Sequence, residues 1–138
     1  MLSFSHMKKV LIIGSLPQKE NEVLKYKTLV SVCEEYGFEV VSSPLEERGD
    51  DAFLEYSDAF KVIESADIVL ADVSIESILL GMQLKETDLL GKHLVVIAKN
   101  DAVVPSIVEG IPNIAEIILY ENIEDAREAL VRNFSVID

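Results

Sequence analysis

One cysteine stands among 138 residues, and basic residues are about half as many as acids. Each shortage excludes something. A lone thiol, Cys33, cannot close an intramolecular disulfide, so a reducing, cytoplasmic compartment is expected. Cys33 shares an apolar helical face with Val30, which reads as a core thiol rather than a nucleophile. With 12 lysines and arginines against 25 acids, the formal net charge is −13. A field of that sign repels phosphate backbones, so no nucleic acid polymer is expected as a partner. A small phosphate held by backbone N–H groups stays compatible with it. No apolar run approaches the roughly 18 residues that span a bilayer, so no membrane partner is expected either, and no secretory signal is expected, since the first residues lack a long apolar core followed by a small-residue cleavage site. The two histidines, His6 and His93, join no cluster with metal-ligand spacing, so no metal and no cofactor are expected. Nucleophile elbow, GxGxxG fingerprint and P-loop are all missing. Met1 to His6 precede a second methionine, Met7, and then Lys8-Lys9. Residues 1–7 are therefore read as a tag or an alternative start, and residues 8–138 as the folded domain.

What is present is a regular alternation of apolar runs and amphipathic stretches. The chain is 49% hydrophobic and 27% charged, ordinary for a globular protein that buries one sizeable core. Val10 to Ile13 form a first strand, closed by Gly14-Ser15. Val23, Tyr26, Val30 and Cys33, with Leu29 and Tyr36 beside them, make an amphipathic helix ended by Gly37 at a C′ position. Phe38 to Val41 form a second strand. Ser42 to Asp51, polar and carrying Pro44 and Gly49, form a loop. Phe53, Tyr56, Phe60 and Ile63 are the stripe of a second helix, capped by Asp50 or Asp51. Ile68 to Leu70 show no alternation, as in a central parallel strand buried on both faces, and the run ends in Asp72. Ser74 is expected to cap a third helix with the stripe Ile75, Ile78, Leu79, Met82, Leu89 and Leu90, ended by Gly91. Leu94 to Ala98 form a fourth strand. Lys99 to Pro112 make a long connection with one helical turn at Ser106 to Glu109. Ile117 to Leu119 form a fifth strand. Asn122 caps a last helix, with Ile123, Ala126, Leu130 and Phe134 facing inward. Together these predict a single-domain α/β fold: an open, five-stranded, mostly parallel sheet with helices on both faces, Rossmann- or flavodoxin-like.

In such a sheet, ligands bind outside the carboxyl ends of the strands. Asp72 sits at one such end, next to a helix start that offers free N–H groups. Gly14 and Ser15 close another, where glycine lets a backbone approach and Ser15 can donate to an anion. The plainer reading there is a short βα turn with Ser15 as a local cap. Asp58 follows Tyr56 on the second helix. If that helix packs near the carboxyl edge, Asp58 and Asp72 face one cleft and divide general-acid and ligand-orienting work. From spacing alone a solvated Asp58 and a helix-capping Asp72 are favoured. Ser77, in the first turn of the third helix, offers a hydroxyl to a phosphate, and Gln83 reads as a polar residue at the edge of the apolar stripe.

The Gly-Ser turn, the acid in the second helix and the segment from Ala66 to Leu84 (ADIVLADVSIESILLGMQL) resemble the nucleoside 2-deoxyribosyltransferase family, including its branch that hydrolyses deoxynucleoside 5′-monophosphates. Members of that family carry an Ala-Asp-hydrophobic strand, an acid, then Ser-x-Gly-x-Gly-x-Glu-Leu on the next helix, and the order of elements matches over residues 8 to 135. The resemblance implies cleavage of an N-glycosidic bond, a small-molecule nucleoside or nucleotide as partner, and a homo-oligomer, dimer or higher, in which a neighbouring subunit completes the site. It implies Asp58 and Asp72 as the acidic pair near base and sugar, with Gly14, Ser15 and Ser77 near the 5′ end or its phosphate. Gly81 is the retained glycine of the helix motif. The family's nucleophilic glutamate falls on Gln83. An amide has no anionic oxygen and cannot form a glycosyl ester, but it can hydrogen-bond a sugar hydroxyl. The motif's first glycine is Leu79, the tyrosine of the first strand corresponds to Leu11, and Leu16-Pro17-Gln18 stand where the monophosphate branch has arginine. Glu76 or Glu86 could supply the missing carboxylate.

An N-glycosidase or deoxyribosyltransferase is thus the first expectation, and a nucleotide-binding module of the same fold, without chemistry, the second. A response-regulator-like domain ranks third. It wants acids at the end of the first strand and a lysine after the last, where this chain has Gly14-Ser15 and Tyr120-Glu121. Tyr56, Phe60 and Met82 at helical spacing are read as core rather than as interface.

Overall fold

The computed structural model describes residues 7–46, 51–114 and 117–134. Residues 1–6 of the expected tag or alternative start, and residues 47–50 of the second loop, lie outside the described residues. Strands and helices alternate as β1 (Lys9–Ile13), α1 (Glu20–Glu35), β2 (Glu39–Ser42), α2 (Ala52–Ser65), β3 (Ile68–Asp72), α3 (Ile78–Leu89), β4 (His93–Lys99), α4 (Ser106–Glu109), β5 (Ile117–Tyr120) and α5 (Ile123–Phe134). The strands form one sheet in the order β2-β1-β3-β4-β5, and every pairing is parallel. That is the flavodoxin-like order, in which the winding reverses between β1 and β3. Among the described residues no helix is long and apolar enough to cross a membrane.

The sheet divides the core in two by strand parity. Val10, Ile12, Ile68, Leu70, Val95 and Ile97 pack against Tyr26, Leu29, Val32 and Cys33 of α1 and Ala126, Leu130 and Phe134 of α5. Leu11, Ile13, Val69, Ala71, Val96 and Ala98 pack against Ile63 of α2 and Leu80 and Leu84 of α3. Apolar layers on both faces explain why the strand sequences do not alternate. Gly37 and Gly91 hold positive φ of 82° and 66° just past α1 and α3, where a side chain would be strained. Asp51 caps α2, its carboxylate accepting from the N–H groups of Phe53 and Leu54 at 3.0 and 3.1 Å.

Two helices depart from expectation. α3 is capped by Ser77, not Ser74: Ser77 has extended φ/ψ of −152° and 150°, and its hydroxyl accepts from Leu80 N–H at 3.0 Å. The inner face of α3 is Leu80, Gln83, Leu84 and Thr87, while Ile75, Ile78, Met82, Leu89 and Leu90 of the expected stripe are exposed. The segment is apolar on nearly every side, so periodicity does not choose a face, and the later start rotates the choice. In α2 only Ile63 is buried and Phe60 is half-buried, whereas Phe53 and Tyr56 are 77% and 58% exposed. Tyr56 lies on Phe60 with ring centroids 4.8 Å apart, so the aromatics cover one another rather than the core.

Candidate active site

A cleft forms because β2 leaves the sheet early. Lys9 faces Glu39 and Val10 faces Val40, then the register slips and Leu11 faces Ser42. Irregular pairing of this kind often flanks functional sites. β1 continues against β3 as far as Ile13 and Ala71, while the chain beyond Ser42 turns away toward α2. The gap holds about 360 Å³, a volume that suits a small molecule. Its floor is Leu11 to Gly14 of β1. One wall is Ser42, Ser43, Pro44 and Glu46, and the other is Glu55, Asp58, Ala59 and Val62 of α2 with Leu79 and Gln83 of α3. It lies at the carboxyl edge of the sheet, where this topology places ligands.

Gln83 is the buried polar group of this cleft, 7% exposed. Its Nε2 donates to the backbone oxygen of Ala59 at 3.1 Å, which ties α3 to α2 and fixes which way the amide faces. Asp58 is exposed on the same wall, one helical turn from Glu55. Sequence reasoning identified Asp58 and Gln83 but missed Glu46, Glu55 and Ser43. The three-residue spacing of Glu55 and Asp58 on one helix was the available signal for Glu55.

Asp72 is placed elsewhere. It follows Ile68 and Leu70 in parity and therefore points to the face packed by α1 and α5, whereas α2 and Asp58 lie on the other. The structure does not bring the two aspartates into one cleft. Asp72 is 2% exposed and fully engaged. Its Oδ2 takes Lys25 Nζ at 3.0 Å and the Tyr120 hydroxyl at 2.7 Å, and its Oδ1 accepts Ser74 N–H at 2.9 Å. Ser74 Oγ accepts Lys99 N–H at 2.8 Å and lies 3.3 Å from the Tyr120 hydroxyl. The network thus ties α1 to the carboxyl ends of β3, β4 and β5. Burial, with the Asp72 carboxylate close by, holds the Tyr26 and Tyr120 phenols protonated well above the ordinary tyrosine range.

Gly14 lines the cleft, but its need for glycine is internal: an added Cβ would collide with the Tyr26 hydroxyl and stand 3.3 Å from the Asp72 backbone oxygen. Ser15 accepts the Tyr26 hydroxyl through its carbonyl at 2.8 Å. Ser15, Ser77 and Glu76 line a neighbouring hollow that shares Gly14 and Leu79 with the cleft. The Ser77 hydroxyl is already used as the cap of α3. Gly81 is exposed, with nothing within 4 Å of an added Cβ, and it lies outside the cleft lining, as does Glu86. Among the described residues no group of three or more His, Cys, Asp or Glu could hold a metal ion.

No protein-family model matches the sequence, and no curated protein matches it. Solved structures do. A CMP N-glycosidase from Clostridium botulinum is similar with a TM-score of 0.73 and 17% identity, over 91% of this chain and 99% of that one. This chain has that fold. A 2-deoxyribosyltransferase from Bacillus psychrosaccharolyticus is similar with a TM-score of 0.61 and 17% identity, over 86% of this chain and 90% of that one. A response regulator receiver domain from Clostridium thermocellum is also similar, with a TM-score of 0.58 and 14% identity over 94% and 95% of the two chains. Identities this low are a likeness of fold, and what distinguishes one such protein from another is the site.

Proposed function

We propose that the cleft binds a nucleoside or nucleoside 5′-monophosphate and that the protein acts on its N-glycosidic bond. The observation that carries this reading is the convergence of Asp58 and the buried Gln83 amide on one cleft at the carboxyl edge of β1. The fold shared with a CMP N-glycosidase and a 2-deoxyribosyltransferase supports it. In this reading Gln83 Oε1 accepts a sugar hydroxyl and orients the ring. Asp58 delivers or directs the proton that the departing base needs. Gln83 cannot attack the anomeric carbon, so water does, and the sugar leaves with a hydroxyl where the base had been. Gly14, Ser15 and Ser77 lie beside the 5′ end. Asp72, behind the sheet, holds the turn from β3 into α3 through Ser74 rather than touching substrate.

Chromatographic detection of free base, across a panel of nucleosides and monophosphates, tests the proposal. Base release that falls about 100-fold in Asp58→Asn is the expected result. Release indifferent to that change removes Asp58 from the chemistry. Saturable binding without release would leave a nucleotide-binding module.

The same reading includes a second copy of the chain. Phe53, Leu54 and Tyr56 of α2 and Ile78 and Met82 of α3 are exposed on the two helices that wall the cleft. Packing them against another copy removes a sizeable apolar surface from water. Sedimentation should give a dimer or larger assembly, and Tyr56→Ser with Ile78→Ser should shift it to monomer. A monomeric wild-type protein at micromolar concentration contradicts this part.

A further inference from the structure

Tyr26 lines neither the cleft nor the hollow beside it, yet its hydroxyl is tied to the turn that both share. The ring is 1% exposed and packs in the core layer of α1, on the face of the sheet opposite the cleft. The hydroxyl stands where a Cβ of residue 14 would be, so glycine at that position is what lets it reach the turn. There it donates to the Ser15 carbonyl at 2.8 Å. A phenol has one proton to give, and burial keeps that proton on the oxygen, so the bond runs one way. Phenylalanine would fill the same core space. What tyrosine adds is this one bond.

A planar trans peptide points its N–H opposite to its C=O. With the Ser15 carbonyl drawn toward Tyr26, the N–H of Leu16 is turned the other way, out of the core. Of the backbone donors further along the turn, Pro17 has none, and Gln18 N–H is held by the Glu22 carboxylate at 3.1 Å. Leu16 N–H is thus the donor that the Tyr26 bond aims, and Leu16 lines the hollow that joins the cleft at Gly14 and Leu79. We infer that Tyr26 is a positioning residue for the ligand: by holding the Ser15–Leu16 peptide in one orientation, it presents Leu16 N–H to the oxygen at the 5′ end. This rests on the nucleoside reading proposed above. The acceptor is an oxygen lone pair, carried by the 5′-hydroxyl of a nucleoside or by the phosphate of a monophosphate. Without the Tyr26 hydroxyl the peptide is free to flip, and a carbonyl turned to the ligand repels the oxygen that the N–H attracts.

Calorimetric titration of the whole chain with nucleosides of the common bases, each beside its 5′-deoxy analogue and its 5′-monophosphate, tests this. In the wild-type protein the tighter of nucleoside and monophosphate should bind about three- to ten-fold more tightly than the 5′-deoxy analogue, the worth of one hydrogen bond. Which of the two is tighter assigns the acceptor to hydroxyl or phosphate. In Tyr26→Phe the ratio should fall to about one, with the 5′-deoxy analogue bound as before. A purely structural role for Tyr26 would weaken both ligands alike and leave the ratio intact, and that result overturns the inference. A wild-type ratio of one overturns it without any variant, and leaves the nucleoside reading standing. If nothing in the panel binds, the nucleoside reading falls and this inference falls with it.

Discussion

Replacing Lys25 by methionine puts the buried network behind the sheet to a quantitative test. Asp72 is 2% exposed, and the Lys25 ammonium lies 3.0 Å from its Oδ2 with 13% of the lysine side chain exposed. Removing one partner of a buried ion pair strands the other charge and costs about 3–5 kcal/mol. Asp72 would keep the Tyr120 hydroxyl at 2.7 Å and Ser74 N–H at 2.9 Å, and bonds of this kind to a charged group are worth about 1.5–3 kcal/mol each. The loss should therefore fall at the lower end, about 3 kcal/mol. Urea unfolding followed by circular dichroism reads it as a midpoint lowered by about 1–3 M at unchanged slope. Asp72→Asn alone should also destabilise, because one amide cannot present acceptors to both Tyr120 and Ser74 N–H. The double variant removes the stranded charge, so it should be less unstable than the sum by about 2 kcal/mol. A Lys25→Met variant within about 1 kcal/mol of wild type, or strict additivity of the two changes, would refute the assignment of this pair as a buried, coupled unit.

Three other expectations follow from particular contacts. Gly14→Ala should cost about 1–3 kcal/mol by driving a methyl into the Tyr26 hydroxyl, and combining it with Tyr26→Phe should recover part of that in thermal melts; a neutral Gly14→Ala would mean the turn can shift. Gln83→Glu should destabilise by about 1–3 kcal/mol, since a carboxylate would replace the donor that meets the Ala59 carbonyl at 3.1 Å, and equal stability would mean the amide faces the other way. At alkaline pH, burial pushes the Cys33 thiol from 9.0 up to about 12 and raises the Tyr26 and Tyr120 phenols as well. Each folded value lies above the unfolded one, so the stabilisation is complete below about pH 9 and is lost as pH rises from there. The fall per group should be about 1.4 kcal/mol per pH unit within its own window, and a level urea midpoint between about pH 8.5 and 11 would contradict it.

The sheet and the sequence of elements were legible because they rest on local chemistry. Apolar runs without alternation marked buried parallel strands, Gly37 and Gly91 marked helix ends, and Asp51 marked the start of α2. Helix rotation was not legible. α3 is apolar on most sides, so only contact with α2 and the sheet decided that Gln83 turns inward and Ile78 outward. Gln83 nevertheless emerged through its place in a family motif, a clue independent of packing. Asp58 and Asp72 were paired because both sit near the carboxyl edge, and the even spacing from Ile68 to Asp72 held the contrary information. Lys25 drew no notice at all. It lies in a helix among other charged residues, and only the approach of β3 and β5 gives it a partner.

The parity of β3 has a consequence for how this molecule can change. The half that walls the cleft is built from β1, β2, α2 and α3, and the half that holds the strand ends together is built from α1, β3, β4 and β5 around Asp72. The two are joined along the β1–β3 pairing, and α2 and α3 pack on β3 and β4, but the cleft lining and the Asp72 network have no side chain in common. Distant sites without shared partners contribute independently. Exchanging residues such as Glu46, Asp58 or Gln83 should therefore retune ligand choice without loosening the strand-end clasp, so the fold can serve as a chassis on which one wall is rewritten at a time.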